Sequence, residues 1–154
     1  MVDLKRNRYI GKMKKEKRKI RLKYIVAGVL IALFACGYLF DFLWAKTYRI
    51  EIVSVSDEEP LASEKDKVDI VVKVTHFGKP MAGHEMFALP DAGRMLNYNA
   101  VTDENGFASF TYIPFNGNPY MTIEEVRISI RDESNSVIWE VNAYGYVSLR
   151  PRTA

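Results

Sequence analysis

The sequence contains one cysteine, Cys36, and only two histidines, His76 and His84. A single cysteine excludes a disulfide within the chain, and two histidines without further cysteines or an HExxH pattern make a weak zinc site. The sequence also lacks an Asn-x-Ser/Thr sequon, a Gly-x-Ser-x-Gly elbow and a phosphate-binding glycine loop. We therefore expect no metal, no cofactor and no enzymatic activity.

Positive charge is unevenly distributed along the chain. Residues 1–24 hold 11 of the 22 Lys and Arg residues and two acids, a net charge of +9, whereas residues 25–154 carry 11 basic residues and 17 acids, a net charge of −6. This asymmetry favours two different environments for the two parts. The basic tail has few aromatic residues between its charges, so we expect it to bind anionic lipid headgroups rather than nucleic acid. The tail residues proposed for this contact are Lys12, Lys14, Lys15, Lys17, Arg18 and Lys19.

A long apolar run follows the basic tail. No charge occurs from Tyr24 to Phe40, and after Asp41 the run continues to Trp44. A helix over residues 24–44 would be roughly 31 Å long, about the thickness of the hydrocarbon core of a bilayer. The pattern predicts a transmembrane helix in which Asp41 lies near one end and reaches water. The excess of Lys and Arg before the span predicts a cytoplasmic tail (1–23) and an extracytoplasmic domain (45–154) at the inner or plasma membrane of a bacterium.

Two further features lie within this run. Gly28, Ala32 and Cys36 share one helix face at intervals of four residues, and small residues at this spacing let a second helix approach closely. The segment Leu33–Cys36 resembles a bacterial lipobox, in which the cysteine is lipidated after cleavage before it. A lipoprotein processed at Cys36 is therefore an alternative to an intact membrane helix.

After the apolar run the hydrophobic period changes to two. Val68, Ile70, Val72 and Val74 alternate with other residues, and Val137–Leu149 alternates over about 13 residues. In Tyr48–Ser56 the apolar register shifts between Ile52 and Val53, which predicts a bulge or a strand that changes sheets. We also read Arg94–Val101 as one strand. About seven short strands separated by turn residues predict an all-β sandwich.

Two segments of this region, "GKPMAGHEMFA" and "VTDENGFASFTY", together resemble the bacterial Ig-like domains of invasin-type proteins. Transthyretin-like and carboxypeptidase-regulatory-like domains share the Asp-x-Asn-Gly turn. The resemblance implies an Ig-like sandwich, and the physics of the motif is structural, since Asp103 can close an Asx turn and Asn105 and Gly106 tolerate positive φ. A calcium site at Asp103, Glu104 and Asn105 is a weaker alternative because the EF-hand pattern is missing. The turn residues are Gly78, Pro80, Gly83, Asp103, Asn105 and Gly106.

The sequence favours an accessory or scaffolding subunit of a bacterial envelope complex for secretion, transport or polymer export. It has one Ig-like copy, and only Ala45–Thr47 separate the predicted span from the first strand, which holds the domain near the membrane. Integral membrane proteins would be its partners. Aromatic side chains often anchor such interfaces, and we propose Phe115, Tyr120, Tyr144 and Tyr146. The alternatives are a surface module that binds cell-wall glycan or a host surface, and an envelope enzyme.

Overall fold

The computed structural model describes residues 3–116 and 123–152, with side chains from residue 21 onward. One helix, α1 (Asp3–Ala45), precedes the strands. The chain divides into two compact units, Met1–Leu39 and Phe40–Ala154, so that the last turn of α1 belongs to the same unit as the strands. In chain order the strands are β1 (Tyr48–Val55), β2 (Val68–His76), β3 (Lys79–Pro80), β4 (Glu85–Pro90), β5 (Arg94–Met95), β6 (Asn99–Val101), β7 (Phe107–Ile113), β8 (Val126–Asp132) and β9 (Ala143–Leu149).

Helix α1 contains the apolar run. Over Arg21–Ala45 it is long and apolar enough to cross a membrane, with a mean hydropathy of 2.2 and 6% of the most apolar window buried. A signal sequence near an N-terminus has the same length and composition. Gly28, Ala32 and Cys36 are exposed on this helix. Apart from its chain neighbours and the backbone of α1 itself, no atom of the described residues lies within 4 Å of the position that a Cβ on Gly28 would occupy.

The strands form two antiparallel sheets. One sheet has the order β1-β2-β7-β5, with β3 beside β2, and the other has the order β6-β4-β8-β9. The alternation of Val68, Ile70, Val72 and Val74 is confirmed, since all four side chains are fully buried. Burying each of them contributes about 1.5–3 kcal/mol to folding. The predicted sandwich preceded by one helix is therefore confirmed.

The edge strand β1 contains the predicted bulge. Its pairing with β2 shifts register between Ile52 and Ser54, which leaves Val53 without a partner and 52% exposed. Because Val53 is the extra residue of the bulge, the alternation of apolar side chains changes phase at this point, as it does in the sequence. β1 pairs with β2 on both sides of the bulge, so the other explanation, a strand that changes sheets, does not apply to it.

The prediction of one strand over Arg94–Val101 is wrong. β5 pairs with β7 in one sheet and β6 pairs with β4 in the other, so the chain crosses between the sheets at this point. The side chain of Asn97 makes the crossing possible, because it donates to the carbonyl of Ser109 (2.9 Å) and accepts from the amide of Thr111 (2.9 Å). An amide side chain thus replaces the backbone pairing that a continuous strand would supply.

The last strand is shorter than predicted. β9 begins at Ala143 rather than Val137, and its register with β8 ends where Ala143 pairs with Asp132. Within residues 3–116 and 123–152 no strand pairs with residues 137–142, and Val137 and Ile138 are 62% and 59% exposed. The alternation of apolar residues therefore continues beyond the point where a neighbouring strand is available, and an apolar pattern alone does not make a strand.

Candidate functional site

The last turn of α1 is joined to the loop before β9 by a buried carboxylate. Asp41 is 1% exposed, so the expectation that it reaches water is wrong. Its Oδ2 accepts hydrogen bonds from the backbone amides of Ile138 (2.8 Å) and Trp139. A buried carboxylate is costly unless hydrogen-bonded, and the two amide donors to Oδ2 offset part of that cost, whereas Oδ1 has no hydrogen-bond partner among the described residues. This contact also gives loop residues 138 and 139 an acceptor that a strand neighbour would otherwise provide.

Aromatic rings pack around the junction between α1 and β1. Thr47 ends the helix by donating its amide (2.9 Å) and its hydroxyl (2.7 Å) to the carbonyl of Trp44. The His76 ring stacks on Tyr48 at 4.2 Å between centroids and lies 5.0 Å from Trp44. Burial raises the pKa of the Tyr48 hydroxyl, and a hydrogen bond with the Trp44 side chain opposes that rise. Lys46 and Thr47 are the two residues between the end of the helix and the first strand.

The two-residue turn after His76 is strained. His76 pairs with Lys79, and the residues between them, Phe77 and Gly78, both have positive φ, 48° and 77°. Type I′ hairpin turns require this geometry, which Asn-Gly adopts readily and phenylalanine does not. The ring of Phe77 packs 4.5 Å from that of His76. Pro80, assigned to a turn from the sequence, instead pairs with Thr75 as part of β3.

The Asp-x-Asn-Gly segment forms a turn that the Asp103 side chain closes. Asp103 Oδ1 accepts from the amides of Asn105 and Phe107, both at 2.8 Å. Gly106 has φ of 80°, and a Cβ there would lie 2.6 Å from the Val74 carbonyl oxygen. Gly83 also has positive φ, 74°, but no atom of the described chain beyond its two neighbours lies within 4 Å of its Cβ position. Asn105 does not share the positive φ that we expected of it.

A buried histidine–carboxylate pair joins the residue just before β4 to the last residue of β8. His84 Nδ1 lies 2.7 Å from Asp132 Oδ2, and Asp132 is fully buried. Asp132 Oδ1 also accepts from the amide of Ser134 (2.8 Å), and the amide of His84 donates to the Thr102 hydroxyl (2.9 Å). The pair therefore fixes the ends of two strands. Within the ranges 3–116 and 123–152, no three His, Cys, Asp or Glu residues form a group that could hold a metal ion.

The outward face of the β6-β4-β8-β9 sheet, here called the aromatic face, carries Phe87, Tyr98, Arg131, Tyr144 and Tyr146. Tyr144 and Tyr146 are 52% and 58% exposed, and their rings stack 6.3 Å apart with an angle of 9° between the planes. Arg131 pairs with Tyr144 across the strands and lies 4.6 Å over the ring of Phe87. Phe87 stacks on Tyr98 at 6.3 Å. Exposed tyrosines beside an arginine are the residue types that anchor protein interfaces.

Two cavities adjoin this face and share Asn142 and Tyr144. The larger, about 410 Å³, is polar, and the carboxylates of Glu85, Glu133 and Glu140 line it together with Arg131 and Ser136. Arg131 is held by Glu133 at 2.7 Å, and that hydrogen bond raises the pKa of the guanidinium. The smaller cavity, about 230 Å³, lies beside the end of α1. Its lining residues are Phe42, Ala45, Lys46, Tyr48, Asn142, Ala143 and Tyr144.

The structure brings together only two of the four predicted partner-binding residues, Tyr144 and Tyr146. Phe115 is half-buried and packs against the core, and Tyr120 lies outside the described residues. The basic residues Lys12–Lys19 lie in α1, where the structure does not describe side chains. Sequence reasoning missed Phe87, Tyr98 and Arg131 as members of the aromatic face. The outward position of Arg131 in the alternating segment Val126–Asp132 was the available signal.

No protein-family model matches the chain, and no curated protein matches it. Among solved structures, the D0-D1 domain of intimin is similar, with 20% identity and a TM-score of 0.47 over 66% of this chain and 49% of that chain. The chain thus spans about half the length of that intimin structure. A conjugative transposon lipoprotein from Bacteroides eggerthii DSM 20697 is 12% identical, with a TM-score of 0.43 over 67% of this chain and 96% of that chain. A conjugate transposon protein from Bacteroides vulgatus is 15% identical, with a TM-score of 0.43 over 67% of this chain and 83% of that chain. By its two antiparallel sheets and their order, the unit that begins at Phe40 contains an Ig-like β-sandwich fold.

Proposed function

We propose that this protein is a non-enzymatic accessory or scaffolding subunit of a bacterial envelope membrane complex. Its transmembrane helix and its Ig-like domain would each contact an integral membrane partner. The complex would serve secretion, transport or polymer export. The proposal divides the chain into a cytoplasmic tail (1–23), a membrane span (24–44) and an extracytoplasmic domain (45–154).

The observation that carries the proposal is the contact of Asp41 with the loop before β9. Asp41 lies within the apolar run, and its carboxylate binds the amide of Ile138 at 2.8 Å. An adhesin needs reach, whereas here the last turn of the apolar helix and the strands belong to one unit. A domain without a spacer acts close to the membrane, where other subunits of a membrane complex are found.

Charge and length support the proposed membrane placement. The tail of net charge +9 precedes the apolar run, and only Lys46 and Arg49 follow it closely, which favours a cytoplasmic N-terminus. Cleavage before Cys36 would instead remove most of α1 and leave ten helical residues, Cys36–Ala45, ahead of β1. The lipoprotein alternative therefore predicts a mature chain that starts at Cys36. Mass measurement of the protein isolated from membranes separates the two.

Two surfaces would bind partners. In the membrane, Gly28, Ala32 and Cys36 form a seam of small residues that a second helix can approach. Outside it, the aromatic face offers rigid rings, and its residues Tyr144 and Tyr146 are more than half exposed. The tail lysines would hold the cytoplasmic end of the helix against anionic lipid headgroups.

Co-purification in mild detergent tests this proposal. Full-length protein should bring down polytopic membrane proteins, and Gly28→Leu/Ala32→Leu should weaken that recovery because bulk at the seam keeps a partner helix away. Val26→Phe/Leu33→Phe is the matched control, since it adds bulk on another side of the same helix. Equal recovery with both double variants would contradict the seam. A chain that purifies alone, or only with itself, would contradict the accessory role.

A second candidate function is a module that binds an external ligand such as cell-wall glycan or a host surface. The exposed, stacked rings of Tyr144 and Tyr146 favour it, because aromatic rings can pack against a flat apolar ligand surface. This alternative predicts that the protein binds purified peptidoglycan or host-cell extract after all membrane partners have been removed. The accessory-subunit proposal predicts no such binding.

A further inference from the structure

The cavity beside the end of α1 has a mixed chemical character. Phe42 and Ala45 come from the helix and supply an apolar wall. The other lining residues include Lys46, Tyr48, Tyr144 and Asn142, whose side chains carry an ammonium group, two hydroxyls and an amide. The cavity is shallow and largely open to one side, and its volume of about 230 Å³ exceeds that of a few water molecules, so a small polar group can lie in it with part of an attached chain.

Lys46 is the cation of this cavity. Its Nζ lies 4.3 Å from the centroid of the Phe42 ring, a cation–π contact that keeps the ammonium group beside the apolar wall. In the part of the chain that the structure describes, the four ion pairs involve Arg49, His84, Arg131 and Arg152, and Lys46 is in none of them. The ammonium group is therefore available to an anion.

The position of the cavity restricts the anion. Phe42 and Ala45 belong to the last residues of the segment that is apolar enough to cross a membrane, and Lys46 follows at once. A lysine directly after such a segment is placed at the depth of lipid headgroups, and its methylene chain can remain in the apolar region. A phosphate group attached to apolar chains would match both parts of the cavity, because the phosphate can pair with Lys46 and a chain can contact Phe42 and Ala45.

We propose that this cavity binds the phosphate headgroup of a phospholipid from the outer leaflet. Lys46 would pair with the phosphate, the hydroxyls of Tyr48 and Tyr144 would donate hydrogen bonds to it, and Phe42 with Ala45 would contact the start of an acyl chain. This inference rests on the membrane placement in the proposed function. It differs from the contact proposed for the basic tail, which lies before the span and involves the opposite leaflet.

Free phosphate is the other source of the same charge, and the apolar wall argues against it. Inorganic phosphate would use Lys46 and the hydroxyls but would gain nothing from Phe42 and Ala45. Diacylglycerol is the converse probe, because it has the acyl chains without the phosphate.

Native mass spectrometry of the full-length protein in detergent tests the site with three probes, phosphatidylglycerol, diacylglycerol and inorganic phosphate. We expect phosphatidylglycerol to bind more tightly than either of the others. Lys46→Gln should weaken its binding about fivefold, the effect of losing one basic contact with a headgroup. Lys46→Arg should restore binding. Lys67→Gln, which removes an exposed lysine distant in sequence from the cavity, should leave it unchanged.

The outcomes separate this proposal from the function it rests on. Equal lipid binding by Lys46→Gln and Lys67→Gln would overturn the headgroup site and leave the accessory role intact. Equal binding of diacylglycerol, or binding of inorganic phosphate alone, would also overturn it. A protein that fails to enter lipid nanodiscs would contradict the membrane placement itself. Tyr144→Phe keeps the ring, so a loss of lipid affinity in this variant would support a direct hydroxyl contact rather than a folding defect.

Discussion

The carboxylate of Asp41 accepts a hydrogen bond of 2.8 Å from the backbone amide of Ile138, 97 residues later in the chain. One residue belongs to the apolar helix and the other to the loop before the last strand. The loop continues to Asn142, which lines both cavities. The contact therefore joins the end of the helix to the part of the domain where the candidate binding features lie.

Replacing Asp41 by alanine should destabilise the domain by about 1–3 kcal/mol, because the part-buried amides of residues 138 and 139 lose their acceptor. Thermal unfolding of the full-length protein in detergent, followed by tryptophan fluorescence, measures the change. Glu104→Ala removes an exposed acid in the Asp103–Gly106 turn and is the control. Identical midpoints for the two variants would show that the Asp41 contact contributes nothing.

Gly106→Ala should destabilise the protein more than Gly83→Ala. Both glycines have positive φ, so both changes incur the cost of a left-handed alanine, about 1–2 kcal/mol. Only at Gly106 does the new methyl group also lie 2.6 Å from a carbonyl oxygen, that of Val74. Urea denaturation of the two variants gives the comparison, and equal losses would show that the neighbouring backbone moves freely.

Phe77→Asn should stabilise the protein by up to about 1 kcal/mol, since asparagine adopts positive φ with less strain than phenylalanine. The lost contact between the rings of Phe77 and His76 opposes this gain. Leu96→Asn is the control, because it makes the same change from an exposed apolar residue to asparagine at a position outside the turn. A lower midpoint for Phe77→Asn than for Leu96→Asn would mean that the ring contact outweighs the strain.

Tyr112 should make the stability of the protein fall at high pH. Burial raises the pKa of its hydroxyl to about 12, with the charge of Asp91 as a second cause. The folded state favours the neutral hydroxyl of Tyr112. The stability that this preference contributes is therefore fully present below the unfolded-state pKa of about 10 and is lost as the pH rises to about 12. Tyr112→Phe should show a smaller loss between pH 10 and 12. Tyr146→Phe is the exposed control and should behave as the wild type does.

The sequence predicted the architecture of the domain because its core strands alternate strictly. Val68–His76 and Val126–Asp132 have a buried residue at nearly every second position, and both are strands with the expected faces. The Asp103 turn was also predictable, since Asx turns depend on local chemistry alone. These features require only neighbours in the chain.

The errors fall where distant residues decide the structure. Arg94–Val101 has the composition of one strand, but the side chain of Asn97 pairs with β7 and divides it between two sheets. In the sequence, Asp41 is a charged residue near the end of a predicted helix. Its burial depends on backbone amides 97 and 98 residues away. The aromatic face combines residues of three strands and one loop, so no single segment indicates it.

The aromatic face supplies the most direct test of the central claim, that the domain binds an integral membrane partner. A photo-crosslinking amino acid would replace Tyr144 in the full-length protein in living cells, with the same change at exposed Ser109 of the other sheet as the control. We expect a crosslink from position 144, and none from position 109, to a polytopic membrane protein that also co-purifies in detergent. Crosslinks from both positions to the same abundant proteins, or from neither position, would contradict the account.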